Sequence, residues 1–256
     1  MRIAPVIAAI CLFTSNTSES QMPTASSLSA PVVAPAIAEM TATYAANYNG
    51  ISITAVKTII ANVDGEYIDR LDATSLFGKI TQAARYKISA NGQLLPLEYN
   101  DRRSMLGIKR SEEQVFDWDL LQLQYRKGKH SAQLAIEPGT LDIPTHQLQL
   151  RRDLAAGRSE FKYPVVARGK HQLYRYSSIR KEQLETPIGK LDTIVMQRQR
   201  NNGARKTTLW LAPRWDYLLV KLEQIEKKEH YTMVVEDAVI NGRKVIPKSA
   251  SIEVTP

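Results

Sequence analysis

The feature that most restricts the fold is a series of six dipeptides ending in glycine, which divide the chain into short runs. The dipeptides are Asp64-Gly65, Asn91-Gly92, Lys127-Gly128, Arg168-Gly169, Asn202-Gly203 and Asn241-Gly242. Several of these pairs favour the positive φ angles that a tight β-hairpin requires. The runs between them resemble strands, as in ISITAVKTIIA, LLPLEY and FDWDLLQLQY. This arrangement predicts antiparallel strands joined by hairpins and does not fit alternating strand–helix units.

One segment, TLDIPTHQLQLRRDLAAG, has a different pattern. Asp142 can cap a helix, Pro144 suits its first turn, leucines follow near helical spacing, and Gly157 is a natural stop. The segment predicts a helix over about residues 143–156. We therefore predict a mainly β fold: a large curved antiparallel sheet or open β-barrel, with meander-like hairpins and this helix packed over its concave side or mouth.

The N-terminal residues MRIAPVIAAICLF predict export. Arg2 precedes an apolar run of eleven residues, which is too short to span a bilayer but has the length of a signal-peptide core. We expect residues 1–20 to be a cleaved signal peptide, 21–43 a flexible linker rich in Ala, Pro and Ser, and 44–256 a single β-rich domain. An uncleaved anchor or a buried strand is the alternative for the apolar run.

Cysteine content and charge limit the chemistry further. Cys11, the only cysteine, lies within the apolar run, so a processed chain would have neither disulfides nor thiolate sites. No second long apolar run is present, which predicts a mature chain without a transmembrane segment. The net charge of +8 favours anionic partners, whether lipid, polyanion or acidic protein.

The hairpin predicted at Asn202-Gly203 allows a register to be worked out. A two-residue loop pairs Ile194 with Leu211, Val195 with Trp210, Met196 with Leu209 and Arg198 with Thr207, which matches apolar with apolar residues. The same register sets Arg200 opposite Arg205, on the face of Arg198. A bound anion would relieve the repulsion between these arginines; alternatively, both side chains splay into water at the hairpin tip.

The stretch TTLWLAPRWDYLLVKLE, residues 207–223, contains two tryptophans around a proline. Pro213 cannot donate to a strand ladder and predicts a break. After it, Trp215, Tyr217 and Leu219 are expected on one face of a strand, with Leu218, Val220 and Leu222 on the other. Both faces are apolar, which is typical of a strand covered on both sides. Trp215 and Tyr217 therefore either fill a core or line a cavity, and Arg214 is placed for a cation–π contact with the neighbouring tryptophans.

Catalytic patterns are weak. Asp117 and Asp119 would lie about 6–7 Å apart on one face of a strand, a spacing that overlaps that of inverting glycosidases and that any half-solvated strand also produces. None of the four histidines has a ligand-like partner at i+2 or i+4, and we expect a local capping contact between His146 and Asp142. No serine-hydrolase, metalloprotease or nucleotide-binding motif is present. We expect no catalytic residues, metal or cofactor.

The segment HQLYRYSSIRK, residues 171–181, allows a nucleic-acid-binding surface as an alternative. Tyr174 and Tyr176 flank Arg175 there, and two aromatic side chains on one face of a sheet can stack with bases. The same spacing is ordinary sheet packing, and an exported protein seldom meets nucleic acid. We expect no nucleic-acid partner.

Several segments together resemble a known family. They are SANGQLLPLEY (89–99), VFDWD (115–119), LDIPTHQLQLRRDLAAG (141–157), LETPIGKLDT (184–193), RKTTLWLAP (205–213) and YLLVKLEQIE (217–226). Over most of residues 44–240 the chain resembles the exported bacterial family catalogued as domain of unknown function 3108. The resemblance implies a Gram-negative exported protein with a fold akin to the open barrels of periplasmic lipoprotein carriers, and it transfers no catalytic residues. Leu219 stands where the family pattern has a proline.

The sequence leads to three functional hypotheses. The first is a non-enzymatic periplasmic protein of the cell envelope that binds an apolar or amphiphilic anionic, lipid-like ligand on its concave face. The ligand would contact Trp210, Trp215, Tyr217, Arg214, Arg198, Arg200 and Arg205. The second is an envelope assembly or scaffold protein acting through contacts with another envelope protein. The third is a cell-wall glycan hydrolase that uses Asp117 and Asp119.

Overall fold

The computed structural model describes residues 37–62, 64–199 and 205–247, and within them almost every element is a strand. The strands are β1 Met40–Tyr48, β2 Ile51–Ala61, β3 Glu66–Ser75, β4 Gly78–Ile88, β5 Leu94–Met105, β6 Ile108–Asp117, β7 Gln122–Lys127, β8 His130–Ala135, β9 Phe161–Ala167, β10 Lys170–Thr186, β11 Gly189–Gln199, β12 Arg205–Ala212, β13 Leu218–Glu226, β14 Glu229–Ile240 and β15 Arg243–Lys244. The helices are α1, Ile143–Ala155, and a short 3₁₀ helix, Pro213–Trp215.

All the strands belong to one antiparallel sheet of two meanders. Along the sheet the order is β8-β7-β6-β5-β4-β3-β2-β1-β14-β13-β12-β11-β10-β9, with β15 paired to β14. Only the β1–β14 contact joins strands that are distant in sequence, so the first and last long strands meet in the middle of the sheet. The predicted fold, a large curved antiparallel sheet with meander-like hairpins and one helix, is confirmed.

The free ends of the two meanders approach each other through side chains. A small cluster brings Phe116, Leu123 and Tyr125 of the first meander against Val166 of β9. An isolated parallel bridge also joins Leu141 to Val165. These contacts curve the sheet into an open barrel.

Helix α1 connects the two meanders and packs inside the curve. Asp142 forms a capping box with Thr145, Pro144 lies in the first turn, and ten of the thirteen helical residues are buried. Its C-terminal half is tied to loops at one end of the barrel: Arg151 Nη2 donates to Asp216 Oδ2 at 2.8 Å, and Arg152 Nη2 donates to the Gly92 carbonyl at 3.0 Å. The predicted helix, its cap and its position on the concave side are therefore confirmed.

The strand boundaries differ from the prediction in two places. Strand β1 begins at Met40, so the last residues of the predicted linker 21–43 are part of the sheet. The run FDWDLLQLQY is two strands, because Asp117 Oδ1 accepts hydrogen bonds from the backbone N–H groups of Asp119 and Leu120 and so stabilises a turn between β6 and β7. The predicted signal peptide, residues 1–20, lies outside the described residues, as do Asn202 and Gly203.

Candidate functional site

A cavity of about 130 Å³ lies between α1 and the concave face of the sheet. Side chains of α1 form one wall, and strands from both meanders form the other. The lining residues are Met40, Tyr44, Lys57, Ile59, Asp69, Leu71, Gln82, Ile143, Pro144, His146, Gln147, Leu148, Leu150, Arg151, Tyr174, Tyr176, Arg198, Thr207, Leu209, Leu211, Leu219, Leu222, Gln224, Tyr231 and Met233. The set is mainly apolar with a few polar groups, as is usual for small-molecule sites.

The apolar wall on β13 depends on a β-bulge. Trp210 pairs with Lys221 whereas Leu211 pairs with Leu219, so one extra residue, Val220, is accommodated in β13. The bulge reverses the alternation, and both Leu219 and Leu222 line the cavity. The predicted grouping of Leu222 with Leu218 is therefore wrong, because a strict two-residue period does not continue through a bulge.

Arg198, on β11, is the main cationic group of the cavity wall. Its side chain is 9% exposed, and its guanidinium carbon lies 3.5 Å from the ring centroid of Tyr174. No Asp or Glu in the described ranges lies within 4.0 Å of it as a salt-bridge partner. A guanidinium in this environment has given up much of its hydration, and the aromatic face of Tyr174 compensates for part of the loss.

His146 lies beside Arg198 on the first turns of α1 and is held in one tautomer. Its Nδ1 is 3.3 Å from the Asp142 carbonyl oxygen, and its Nε2 is 3.0 Å from the Tyr176 hydroxyl. Because a carbonyl only accepts, Nδ1 donates to it and Nε2 accepts from Tyr176. Burial, assisted by the positive charge of Arg198, lowers the pKa of His146 to about 3. The imidazole is therefore neutral at neutral pH.

The remaining charges of the wall are paired. Lys57 Nζ donates to both carboxylate oxygens of Asp69, at 2.6 and 2.9 Å. Gln82 Nε2 donates to Asp101 Oδ2 at 2.9 Å, and Arg103 binds the same carboxylate through two nitrogens. These groups give the cavity a polar side without an unbalanced charge, in contrast to Arg198.

Among the residues proposed from the sequence for ligand contact that the structure describes, only Arg198 lines the cavity. Trp210 pairs with Val195 as predicted, and the other pairs of that hairpin that lie in the described residues also match. Its indole nevertheless projects from the opposite face of the sheet, where Nε1 donates to Glu182 and the ring lies 4.6 Å from Lys221 Nζ. The prediction that Trp210 lines the concave face is wrong.

Trp215 and Tyr217 were also misplaced by the sequence reasoning. Trp215 ends the 3₁₀ helix, and Tyr217 has φ +52°, so neither belongs to a strand; β13 starts at Leu218. Both side chains pack against the main core outside the cavity wall. Arg214 lies with its guanidinium carbon 5.8 Å from the Trp215 ring centroid, within cation–π range.

Arg205 and Arg214 do not line the cavity with Arg198. Arg205 is 3% exposed and forms a salt bridge with Glu226, its partner in the β12–β13 register, so its side chain does not splay into water. Arg200 lies outside the described residues. Repulsion between arginines was the reason to expect a bound anion at this hairpin. Arg198 is instead a candidate contact for an anion because it lines the cavity.

The catalytic alternative loses its geometric basis. Asp117 ends β6 and Asp119 lies in the following turn, so the two carboxylates do not share a strand face, and neither lines the cavity. Within the described residues no group of three His, Cys, Asp or Glu side chains is arranged to hold a metal ion. Neither helix in that part of the chain has the length and hydrophobicity needed to cross a bilayer.

Sequence reasoning missed most of the cavity wall. Tyr174 and Tyr176 alternate on β10 with their side chains turned inward, 2% and 8% exposed, so they are wall residues and not a nucleic-acid platform. The sequence shows that Tyr174 and Tyr176 alternate along a strand, but it does not show which face of the sheet their side chains occupy. Lys57 and Asp69 carried no signal, because they pair only when β2 and β3 are aligned.

Comparison with known proteins agrees with the architecture. A crystal structure of a β-barrel-like protein of domain of unknown function DUF1849 from Brucella abortus matches with a TM-score of 0.53 and 8% identity, covering 80% of this chain and 98% of that one. A lipoprotein candidate from Parabacteroides distasonis matches with a TM-score of only 0.30, at 10% identity, over 80% of this chain and 97% of that one. No curated protein sequence matches.

The family model gives the more specific result. It covers residues 43–236, which include β2 to β13, most of β1 and β14, helix α1, and every residue of the cavity wall except Met40. The match runs through both meanders, as the resemblance of the individual segments led us to expect. The chain therefore belongs to the family described as protein of unknown function, DUF3108.

Proposed function

We propose that this chain is a non-enzymatic binding protein of the bacterial cell envelope that holds an amphiphilic anionic, lipid-like ligand between α1 and the concave face of the sheet. The observation that carries the proposal is Arg198, a buried guanidinium that lines an otherwise mainly apolar cavity. A carboxylate or phosphate group of the ligand would lie against Arg198, and its hydrocarbon part against Leu209, Leu211 and Leu222.

The energetics favour an anion over a neutral ligand. Burying a guanidinium without an opposite charge costs several kcal/mol of hydration, of which a cation–π contact returns only about 2 kcal/mol. Lys57 does not offer the same attraction, because Asp69 already neutralises it at 2.6 Å. The attraction of an anionic group at Arg198 would therefore offset part of the hydration energy that the guanidinium loses on burial.

The size of the cavity limits the ligand. At about 130 Å³ it is slightly smaller than a cavity of roughly 150 Å³ that accepts one benzene molecule. A short acyl segment fits, and a long-chain lipid would need α1 to move away from the sheet. Short-chain anions are therefore the appropriate first probes.

Binding, rather than catalysis, is supported by the state of the cavity histidine. Both ring nitrogens of His146 are engaged, one with the Asp142 carbonyl and one with the Tyr176 hydroxyl. Its lowered pKa of about 3 keeps the imidazole neutral at neutral pH, so it does not supply an imidazolium as a general acid. The envelope location is supported by the apolar N-terminal run after Arg2.

Titration calorimetry with octanoate and octanol tests the proposal. We expect the protein to bind octanoate at least about tenfold more tightly than octanol, which lacks only the charge. Arg198→Gln should remove this preference, whereas Arg214→Gln, which removes an exposed arginine outside the cavity, should retain it. Equal affinity of the wild-type protein for the two probes, or an unchanged preference in Arg198→Gln, would contradict the proposal. Native mass spectrometry of protein purified from membranes would then identify the natural ligand.

A further inference from the structure

Large apolar side chains are exposed at two neighbouring hairpin turns at one end of the barrel. Leu76 and Phe77, in the β3–β4 turn, are 92% and 40% exposed. Leu106, in the β5–β6 turn, is 63% exposed, and Ile108, the first residue of β6, is 62% exposed. The two turns are held together, because the backbone N–H of Leu106 donates to the Phe77 carbonyl at 3.0 Å. We call these four side chains the apolar tip.

Basic residues lie behind the apolar tip. The segments 75–80 and 102–111 contain five of them, Lys79, Arg102, Arg103, Lys109 and Arg110, and no acidic residue. Lys79 lies 3.4 Å from Asp72 and Arg103 binds Asp101, so the exposed basic residues without a salt-bridge partner among the described residues are Arg102, Lys109 and Arg110. In the ladder, Ser104 pairs with both Lys79 and Lys109, so the two lysines lie on one face of the sheet, one row behind the tip. Lys109 and Arg110 are exposed. The charge thus lies immediately behind the apolar residues.

The tip also projects beyond the neighbouring hairpin. Pairing of β6 with β7 begins only at Glu112 and Lys127, so Ile108 to Ser111 has no neighbour on that side. The four side chains lie at or next to two adjacent turns. Four side chains there supply much less than the roughly 800 Å² that each partner buries in a standard protein–protein interface, which disfavours a second copy of the chain as the occupant.

We propose that this end of the barrel docks on an anionic lipid surface, with the apolar tip inserted into the interfacial region and the basic residues behind it on the headgroups. Exposed aliphatic and aromatic side chains backed by lysine and arginine have the chemistry of a peripheral membrane anchor. The proposal does not depend on the cavity ligand, since no residue of the apolar tip lines the cavity.

Co-sedimentation with vesicles tests the docking surface. The full chain should bind vesicles that contain phosphatidylglycerol and show little binding to vesicles of phosphatidylcholine alone. The double variant Leu76→Ser, Leu106→Ser should bind at least about tenfold more weakly, because two inserted side chains are lost. Leu120→Ser is the matched control: Leu120 is 66% exposed but lies in the β6–β7 turn at the opposite end of the sheet.

The contribution of charge is tested separately. Each basic residue near an anionic surface contributes about fivefold in affinity, so Lys109→Glu with Arg110→Glu should abolish binding. Lys87→Glu with Lys181→Glu changes the net charge equally at exposed positions away from the tip and should have a much smaller effect. Circular dichroism and thermal unfolding would establish that each variant is folded.

Three results would overturn the proposal. The first is that the wild-type chain does not bind anionic vesicles. The second is equal loss of binding in the two charge-reversed variants, which would indicate attraction without a docking surface. The third is a dimer of the wild-type chain that Leu76→Ser, Leu106→Ser abolishes, which would assign the apolar tip to self-association.

Discussion

Replacing Asp142 with asparagine should make the stability of the protein strongly dependent on pH. Asp142 and His146 lie at the first turn of α1, and both are fully neutral in the folded protein near pH 5. Burial raises the pKa of Asp142 to about 7, and burial with the charge of Arg198 lowers the pKa of His146 to about 3. In the unfolded chain, with ordinary pKa values near 3.8 and 6.5, the proton is on the histidine instead. Both states then hold one proton on the pair, so the pair adds little pH dependence between about pH 4 and pH 6.5.

The titration of either group alone would make the free energy of unfolding depend strongly on pH. The raised pKa of Asp142 contributes stability that is complete below pH 3.8 and is lost as the pH rises through about 7. The lowered pKa of His146 contributes stability that is complete above pH 6.5 and is lost as the pH falls toward about 3. At about 1.4 kcal/mol for each pKa unit, either contribution changes by about 3 kcal/mol between about pH 7 and pH 4.5.

Asp142→Asn retains an oxygen that can accept from the Thr145 N–H, at 2.7 Å in the wild-type cap, and removes the carboxyl titration. Relative to wild type, its free energy of unfolding should therefore fall by about 3 kcal/mol from about pH 7 to pH 4.5. His146→Gln should show the opposite trend. Urea denaturation followed by circular dichroism at several pH values measures both differences, and the comparison with wild type cancels the other titrating groups. A difference between Asp142→Asn and wild type that does not change with pH would refute the reasoning.

Two further substitutions test the packing that forms the site. Gly169→Ala should destabilise the protein by more than about 2 kcal/mol, because its methyl group would lie 2.6 Å from Cδ1 of Tyr125. Gly128→Ala, also at positive φ but with no atom within 4 Å, should cost only about 1–2 kcal/mol. Equal losses of stability in thermal unfolding would indicate that β9 and β10 do not close against β7. Leu148→Ala should lower the free energy of unfolding by about 2–5 kcal/mol and enlarge the cavity on its α1 side. Calorimetry should therefore show that the variant binds decanoate more tightly, relative to octanoate, than the wild-type protein does. An unchanged affinity ratio would indicate that Leu148 does not contact the ligand.

Local signals in the sequence were sufficient to predict helix α1 and the hairpin pattern of the strands. The capping residue, the first-turn proline and the C-terminal glycine of α1 act within a few residues of each other, so their meaning did not depend on the rest of the chain. The same is true of the pairing between β11 and β12, where the described pairs match the register that a two-residue loop predicts. These features depend on backbone torsions and nearest neighbours.

The candidate site could not be predicted to the same extent. The bulge at Val220 reverses which face Leu222 occupies, and the 3₁₀ helix removes Trp215 from the strand assigned to it. The choice of which side of β12 faces the cavity, and so the exclusion of Trp210, depends on where α1 packs. None of these outcomes could be predicted from a short segment of the sequence.

The mainly β meander with one capped helix could be predicted from the sequence, because turns, caps and hairpin registers follow from torsional preferences and local pairing. The meeting of β1 with β14, the position of α1 inside the curve, and the cavity shared by Arg198, His146 and Tyr174 became known only from the folded structure. Those contacts join residues that are tens to hundreds of positions apart, and they form where burial of apolar surface outweighs the loss of chain entropy, which is a property of the whole fold.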